Sequence, residues 1–426
     1  MSDRRPHDVS DLELGNLFRR EAGRMTSALA RVFGVHNLPL VEDVVSDAIL
    51  RALEVWKISG VPENPAAWLT AVAKNRAIDV LRREKTARTF EPALAAALST
   101  EWALVPAVEE AFRDEVVKNE QLRMMFACCH AQLGEEVQVA LVLHLLSGFG
   151  AREIGAAFLV SEAAVEKRLQ RGKAKLAEAR SLPSIDEGRV AAHLGAVHRA
   201  LYLLFNEGYH GAHREGSVRE DLCAEAIHLT SLLATSDATK KPSTFALLAL
   251  MCFAGARLPA RRDTNGELVA LEDQDRARWD HALVRRALAA LESAAEGDEL
   301  TAYHLEAAIA YEHAAASSRA DTRWDRIVAL YEALMQLAPS PVIALNHAIA
   351  VGEAEGPERG LEALEAIDDA DQLDDYPFHA AAMGELLLRM NRRAEARRAF
   401  EKACAKARTP DERRWFATRL RACSDA

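Results

Sequence analysis

The sequence predicts an all-α chain. Glycine and proline are scarce, 21 and 14 in 426 residues, while Ala, Leu, Arg and Glu abound. Apolar residues recur at helical spacing instead of alternating, and chain breakers fall in short clusters between those stretches. At roughly 100–200 residues per domain the length suggests two to four domains, each able to bury a core. With 50% hydrophobic and 27% charged residues, wholesale disorder is excluded.

The first clear element is VEDVVSDAILRALEVW, where Val41, Val44, Val45, Ala48, Ile49, Ala52, Leu53 and Trp56 form one stripe and Asp43, Asp47 and Arg51 lie on another face. Gly60, Pro62 and Pro65 break the chain. A second helix is predicted from about Ala66, with Trp68, Leu69, Val72, Ala73, Ala77, Val80 and Leu81 inward and Asn75, Asp79, Arg82 and Arg83 on a polar face. An aromatic residue beside a basic helical face suits stacking of exposed bases and contact with phosphates. Taken alone, the same residues fit a core tryptophan with solvated arginines. Residues 91–118, net −4, read as an acidic spacer.

The next segment has the layout of a helix-turn-helix. A hydrophobic helix ends near Gly148–Gly150, a short helix covers Ala151–Phe158, and a tight turn at Leu159–Val160 leads to Ser161, placed to cap a further helix. There Val165, Leu169 and Leu176 face inward, leaving Lys167, Arg168, Arg171 and Lys175 outside. A recognition helix enters the major groove by its first residues, which would put Ser161, Glu162, Ala163 and Ala164 near bases and Lys167, Arg168 and Arg171 near phosphates. Cys128-Cys129-His130 sits in an apolar run without a ligand-spaced partner and reads as helix packing, not as a metal site.

From about 186 the chain is helical and repetitive. In ALYEALMQLAPSP, Tyr331, Leu334 and Pro339 fit a 34-residue helix-turn-helix repeat; Gly384, Ala396, Phe400 and Ala403 fit its small-then-aromatic packing pattern. Stacked pairs of this kind offer a concave surface to a protein or peptide. Asn206, Glu207, Tyr209, His210 and His213 could suggest hydrolytic chemistry, but no nucleophile elbow, metal spacing or phosphate loop accompanies them, so a buried polar network is expected. Glu272, Asp273 and Asp275 with Trp279 read as an interdomain or capping motif that Arg257, Arg261 and Arg262 could pair with.

A net charge of −11 seems at first to exclude DNA binding. By segment it does not. Residues 1–180 carry 24 basic against 25 acidic side chains, and residues 181–426 carry 29 against 39, so the acidity belongs to the C-terminal part. Two patches are basic: 74–88 (with Lys74, Arg76, Arg82, Arg83, Lys85 and Arg88) and 165–180 (with Lys167, Arg168, Arg171, Lys173, Lys175 and Arg180), each net +4. Six cysteines, two of them adjacent, suit a reduced cytoplasmic chain. The N-terminus has no apolar signal core, and the most apolar run, Phe245 to Ala254, is too short to span a bilayer, so no membrane association is expected.

The first helix pair, VEDVVSDAILRALEVW and NPAAWLTAVAKNRAIDVLRRE, resembles region 2 of extracytoplasmic-function (ECF) sigma factors of the sigma-70 family. AREIGAAF with LVSEAAVEKRLQRGKAKL resembles their region 4. LYLLFNEGYH, LEDQDRARWD, YHLEAAIAYEHA and SPVIALNHAIAV resemble the tetratricopeptide-like (TPR-like) extension of one ECF group. Leu159 departs from the glycine common at a helix-turn-helix turn. The resemblance gives the all-α prediction an architecture: a region 2 helical bundle over 1–90, an acidic linker over 91–118, a region 4 helix-turn-helix over 119–181 and a TPR-like regulatory domain over 186–426. It implies an alternative sigma factor rather than an enzyme, without cofactor or metal. Its partners would be core RNA polymerase (β′ clamp and β flap), promoter DNA, and an unknown protein or peptide for the C-terminal domain. Asp43, Asp47, Arg51 and Trp56 would contact polymerase; Trp68, Asn75, Arg76, Arg82 and Arg83 would hold the melted −10 element; Ser161 to Ala164, Lys167, Arg168 and Arg171 would read the −35 duplex. The acidic linker would thread the polymerase's basic cleft. Two other readings stay open at this stage: a helix-turn-helix activator with a repeat sensor domain, and an enzyme housed in the C-terminal helices.

Overall fold

The computed structural model describes residues 11–84, 101–158, 160–179, 181–210, 219–263, 267–368 and 370–423. Lys85, Arg88, Leu159, Arg180, His213 and the spacer residues 91–100 lie outside them, as do the side chains of His210 and Glu272. Among the described residues the chain is helical without a strand; a lone antiparallel bridge joins Arg262 to Leu268. The chain divides into two compact units, Met1–Leu204 and Phe205–Ala426.

The first unit opens with α1 (Asp11–Phe33), an addition to the two helices predicted there, followed by α2 (Leu38–Ser59) and α3 (Pro65–Glu84). The break between α2 and α3 is the predicted one. Gly60 closes α2 at a positive φ of 79°, donating its N–H to the Trp56 carbonyl, and Asn64 Oδ1 accepts the Ala67 N–H at 3.0 Å as α3 begins. Leu29, Phe33, Val41, Val44, Ala48, Ala52, Leu69, Ala73 and Ala77 fill the core between these helices. Leu53, expected inward, is 48% exposed: Ala52 and Trp56 already occupy the stripe, and Leu53 falls at its edge.

Part of the predicted linker is ordered helix. Next come α4 (Glu101–Ala111) and α5 (Asp114–Cys128). Leu104, Val108 and Ala111, spaced by four and three, bury one face of α4 against the bundle core. Helix α6 (Glu135–Leu141) continues through a π-helical turn, Val142–Leu146. Then follow α7 (Ala151–Ala157), α8 (Glu162–Ala177) and α9 (Glu187–His210). Within α9, His193 stacks on His130 at 6.5 Å, and Arg199 at mid-helix pairs with Glu135 at 2.9 Å.

The second unit is a run of helices: α10 (Glu220–Thr235), α11 (Pro242–Ala256), α12 (His281–Ala294), α13 (Ala302–Ala315), α14 (Trp324–Leu337), α15 (Pro341–Ala354), α16 (Pro357–Glu365), α17 (Pro377–Arg389), α18 (Arg393–Lys406) and α19 (Pro410–Ala422). Most pack chiefly on a neighbour in sequence, whereas α13 packs most closely on α11. Pro242, Pro341, Pro357, Pro377 and Pro410 open their helices, where the missing N–H costs nothing. The predicted small-then-aromatic contact is present: a methyl group on Gly384 would sit 2.9 Å from the Phe400 ring, and Ala396 and Ala403 are buried beside it. A second close approach, Gly352 against Gly360, joins α15 to α16 and carried no sequence signal. The apolar stretch around Phe245 is longer than its ten-residue core. Pro242–Ala260 is long and apolar enough by composition to cross a membrane, and 67% of it is buried in the protein.

Candidate nucleic-acid interface

On α3, Asn75, Arg82 and Arg83 are exposed. Trp68 is half-buried, its ring edge-on to Trp56 at 5.3 Å, while Phe18 stacks on the other side of Trp56 at 5.4 Å. Arg76 is turned away from its neighbours: its Nε donates to Asp47 Oδ2 at 2.8 Å. Thus two residues predicted for different partners hold each other. Of the α2 residues predicted to meet polymerase, Asp43, Asp47 and Arg51 are exposed, with Arg51 3.4 Å from Glu54. Trp56 is corrected to a core residue, 6% exposed between two aromatic rings. The apolar surface of α2 comes instead from Leu50, Leu53 and Ile58, at 58, 48 and 90% exposure. These three do not share one helical row, so spacing gives no signal for this patch.

The helix-turn-helix is built as its sequence requires. Ser161 Oγ accepts the Ala164 N–H at 3.2 Å, capping α8. Val165, Leu169, Gly172 and Leu176 are buried, and Gly172 lies so close to Leu141 that a methyl group would sit 2.6 Å from it. The turn is tight because of Gly155: its carbonyl accepts the Val160 N–H at 3.0 Å, and a Cβ there would lie 2.8 Å from the Val160 oxygen. The closeness expected of the turn residue therefore resides one turn earlier, on α7. Outward, Ser161, Glu162, Ala163, Lys167 and Arg171 are exposed; Ala164 is half-buried; Arg168 forms an ion pair with Glu136 of α6.

The bundle of α1–α3 and the helix-turn-helix interlock within the first unit. Gly23 of α1 lies against the Leu146 carbonyl, leaving no room for a Cβ. Gly148, at a φ of 66°, presses on Ala22 and the Arg19 backbone. Arg19 lies over the Phe149 ring at 4.8 Å and pairs with Glu153 at 3.0 Å; Arg31 reaches the buried Glu120 at 2.9 Å. From α2, Glu42 meets Lys173 of α8 at 2.5 Å and His144 Nε2 at 3.0 Å. Burial pushes the Glu42 carboxyl up, but the hydrogen bonds from His144 and Lys173 outweigh it and hold the group below its ordinary value.

Elsewhere, no cluster of three or more His, Cys, Asp or Glu side chains able to hold a metal occurs among the described residues. Cys128 and Cys129 are buried, and burial drives both thiols upward, Cys129 to about 12. The Tyr209 ring stacks on Phe205 at 5.7 Å, and burial raises the Glu207 carboxyl, partly offset by Arg408. The expected pairing of Arg257 and Arg261 with the 272–275 acids does not occur among the described residues. Arg261 lies 4.0 Å over the Tyr209 ring, Arg257 sits between the rings of Tyr209 and Trp279, and Arg262 pairs with Asp411 at 2.5 Å. Asp275 instead accepts the Ala277 N–H, capping a short turn.

Residues 17–87 match the description of sigma-70 region 2, residues 123–176 that of sigma-70 region 4, and residues 193–295 a family of unknown function, DUF6596. The chain is 39% identical over 398 residues to an uncharacterized protein of Rhizobium meliloti (strain 1021), covering 92% of each. No solved structure matches it.

Proposed function

Because the chain belongs to the sigma-70 family, with the two-region layout of an ECF-like factor and a C-terminal extension, we propose which surfaces do its work. It is an alternative sigma factor that directs promoter recognition, interacting with core RNA polymerase and promoter DNA. In our reading, the exposed face of α2, with Asp43, Asp47, Arg51, Leu50, Leu53 and Ile58, docks on the β′ clamp. Asn75, Arg82 and Arg83, with Trp68 at their side, hold the melted −10 strand, where released bases can stack and phosphates find cations. Arg76 joins them once Asp47 turns to polymerase. The first turn of α8 reads −35 base edges, with Lys167, Arg168 and Arg171 on phosphates. The carrying observation is the Ser161-capped α8, whose outer face is exposed in the same chain as the α3 face.

The interlocked first unit is a resting form in this reading. The −10 and −35 elements lie roughly 25 base pairs apart, about 85 Å at about 3.4 Å per pair. A compact unit of this length has a radius of gyration of about 17 Å. With Glu42 of α2 touching Lys173 of α8, both elements cannot be engaged at once. Docking on polymerase therefore separates the two readers, and their fixed spacing on the enzyme lets two weak contacts add. The C-terminal helices, TPR-like in pattern, regulate this step through a protein or peptide partner. The work takes place in the cytoplasm, where polymerase and DNA are, and needs no catalytic residue in this chain.

Run-off transcription with purified core polymerase tests the reading: promoter-specific transcripts are expected only when this chain is added. Tight, sequence-specific binding to intact duplex without polymerase, and no transcript with it, would favour an activator instead.

A further inference from the structure

We propose that the C-terminal unit holds a binding site for a small phosphoryl-bearing ligand, formed by Arg257, Arg261 and Arg276 around Trp279. The three guanidinium groups gather on two aromatic rings. Arg261 lies 4.0 Å over Tyr209, Arg257 lies 5.9 Å from Tyr209 and 6.0 Å from Trp279, and Arg276 lies 5.6 Å over Trp279.

None of the three has a carboxylate partner among the described residues. Arg261 donates to the Tyr209 carbonyl and Arg276 to the Ala316 carbonyl, and the Arg257 Nε–H is buried without an acceptor. The Asp321 carboxyl, near enough to Arg276 to feel its charge, is exposed and engaged by Ser317 and Ser318. A buried donor, Trp279 Nε1, is likewise unpartnered in a residue only 5% exposed. Partly buried cations without counter-ions and buried donors without acceptors are costly, and here they converge. The neighbouring His313 registers the same field: burial first, then Arg257 and Arg276, bring its pKa down to about 4, so the site keeps it neutral.

An oxyanion answers all of these deficits together. A phosphoryl group suits better than a single carboxylate, because it brings about −1.5 to −2 of charge and three acceptor oxygens to three guanidinium groups and an indole N–H. Such a ligand would tie together the segment that follows α11, with Arg257 and Arg261, and the turn carrying Arg276 and Trp279. The residues that supply its contacts all fall within the matched span 193–295.

Calorimetric titration of the full-length chain with inorganic phosphate and, separately, with glycerol 3-phosphate tests this, with succinate as a dicarboxylate comparison and thermal melting as a second readout. We expect saturable binding and a raised Tm with a phosphate source; which of the two binds tells free phosphate from a phosphomonoester. In the R257Q/R276Q double variant, binding weakens by at least about tenfold. Its ligand-free Tm does not fall, because two crowded cations with no bonded carboxylate among the described residues have been removed. Should that variant fail to fold, W279F keeps the ring and removes the donor, and weaker phosphate binding is expected of it. No saturable binding of either phosphate source, binding of succinate alone, or affinity unchanged in R257Q/R276Q or in W279F overturns the proposal.

Discussion

Arg168 and Arg171 share a helix and a charge but not a surrounding. Arg168 is held by Glu136, whereas Arg171 is exposed with no hydrogen bond or ion pair among the described residues. Each phosphate contact contributes about one unit to the salt slope of DNA binding. Arg171→Ala should therefore weaken −35 duplex binding and make the slope shallower by about one. Arg168→Ala should weaken it less, since Glu136 competes for its guanidinium. An unaltered slope in Arg171→Ala, measured by titrating salt against affinity, would remove it from the phosphate contacts. His313 makes a second residue-scale prediction. Its folded pKa of about 4 lies below the ordinary 6.5, so between those values the unfolded chain binds the extra proton. Stability from this group is complete above about pH 6.5 and is lost as pH falls toward 4, by about 3 kcal/mol over the full shift. His313→Gln should flatten that part of the Tm-against-pH curve; an identical curve would show that the histidine is not held neutral.

Among the elements, α1 is the one whose position decides most. It packs on the region 2 bundle and, through Gly23, on the backbone of the π-helical turn at Leu146. No Cβ can be accommodated there, so Gly23→Ala should force α1 away from that turn. The expected outcome is a larger radius by small-angle scattering with helix content unchanged, and stronger promoter binding without polymerase as both readers come free. Unchanged dimensions would mean that the two regions are not interlocked in solution. At α7 and α8 the opposite holds: Gly155 makes the turn itself, so a side chain there damages the reader and does not release it. The sequence located this turn and its Ser161 cap, because a capping side chain and a helical stripe are local signals. It put the tightness at Leu159, since a close approach between two backbones is not written in either segment alone.

For the whole molecule, the division at Leu204 matters for how the C-terminal helices act. His193 and Arg199 of α9, both before Leu204, contact His130 and Glu135 of the helix-turn-helix half. Ending the chain near Ser184 removes them along with the C-terminal unit, whereas ending it after Leu204 keeps them. Both truncations should change the yield of promoter-specific transcript, and a difference between them reports the part played by α9. A transcript yield matching the full-length chain in both would make the extension a passenger.

Composition, helical periodicity, caps and breakers determined the all-α class, the α2 and α3 stripes, the helix-turn-helix with its Ser161 cap and the Gly384–Phe400 contact. These depend on residues a few positions apart, where spacing alone fixes which face is apolar. Segment-wise charge likewise separated two basic patches from an acidic extension. What depends on distant residues meeting was decided only by the tertiary structure. Trp56 left the surface because Phe18 lies over it; Leu104 and Val108 turned half of an acidic spacer into core; Arg76 found Asp47; Glu42 found Lys173. Arg257 and Arg261 lie against the rings of Tyr209 and Trp279, with no ion pair to the 272–275 acids among the described residues. Complementary charge in a sequence names many partners, and packing, which must first fill the apolar core, leaves each side chain within reach of few of them.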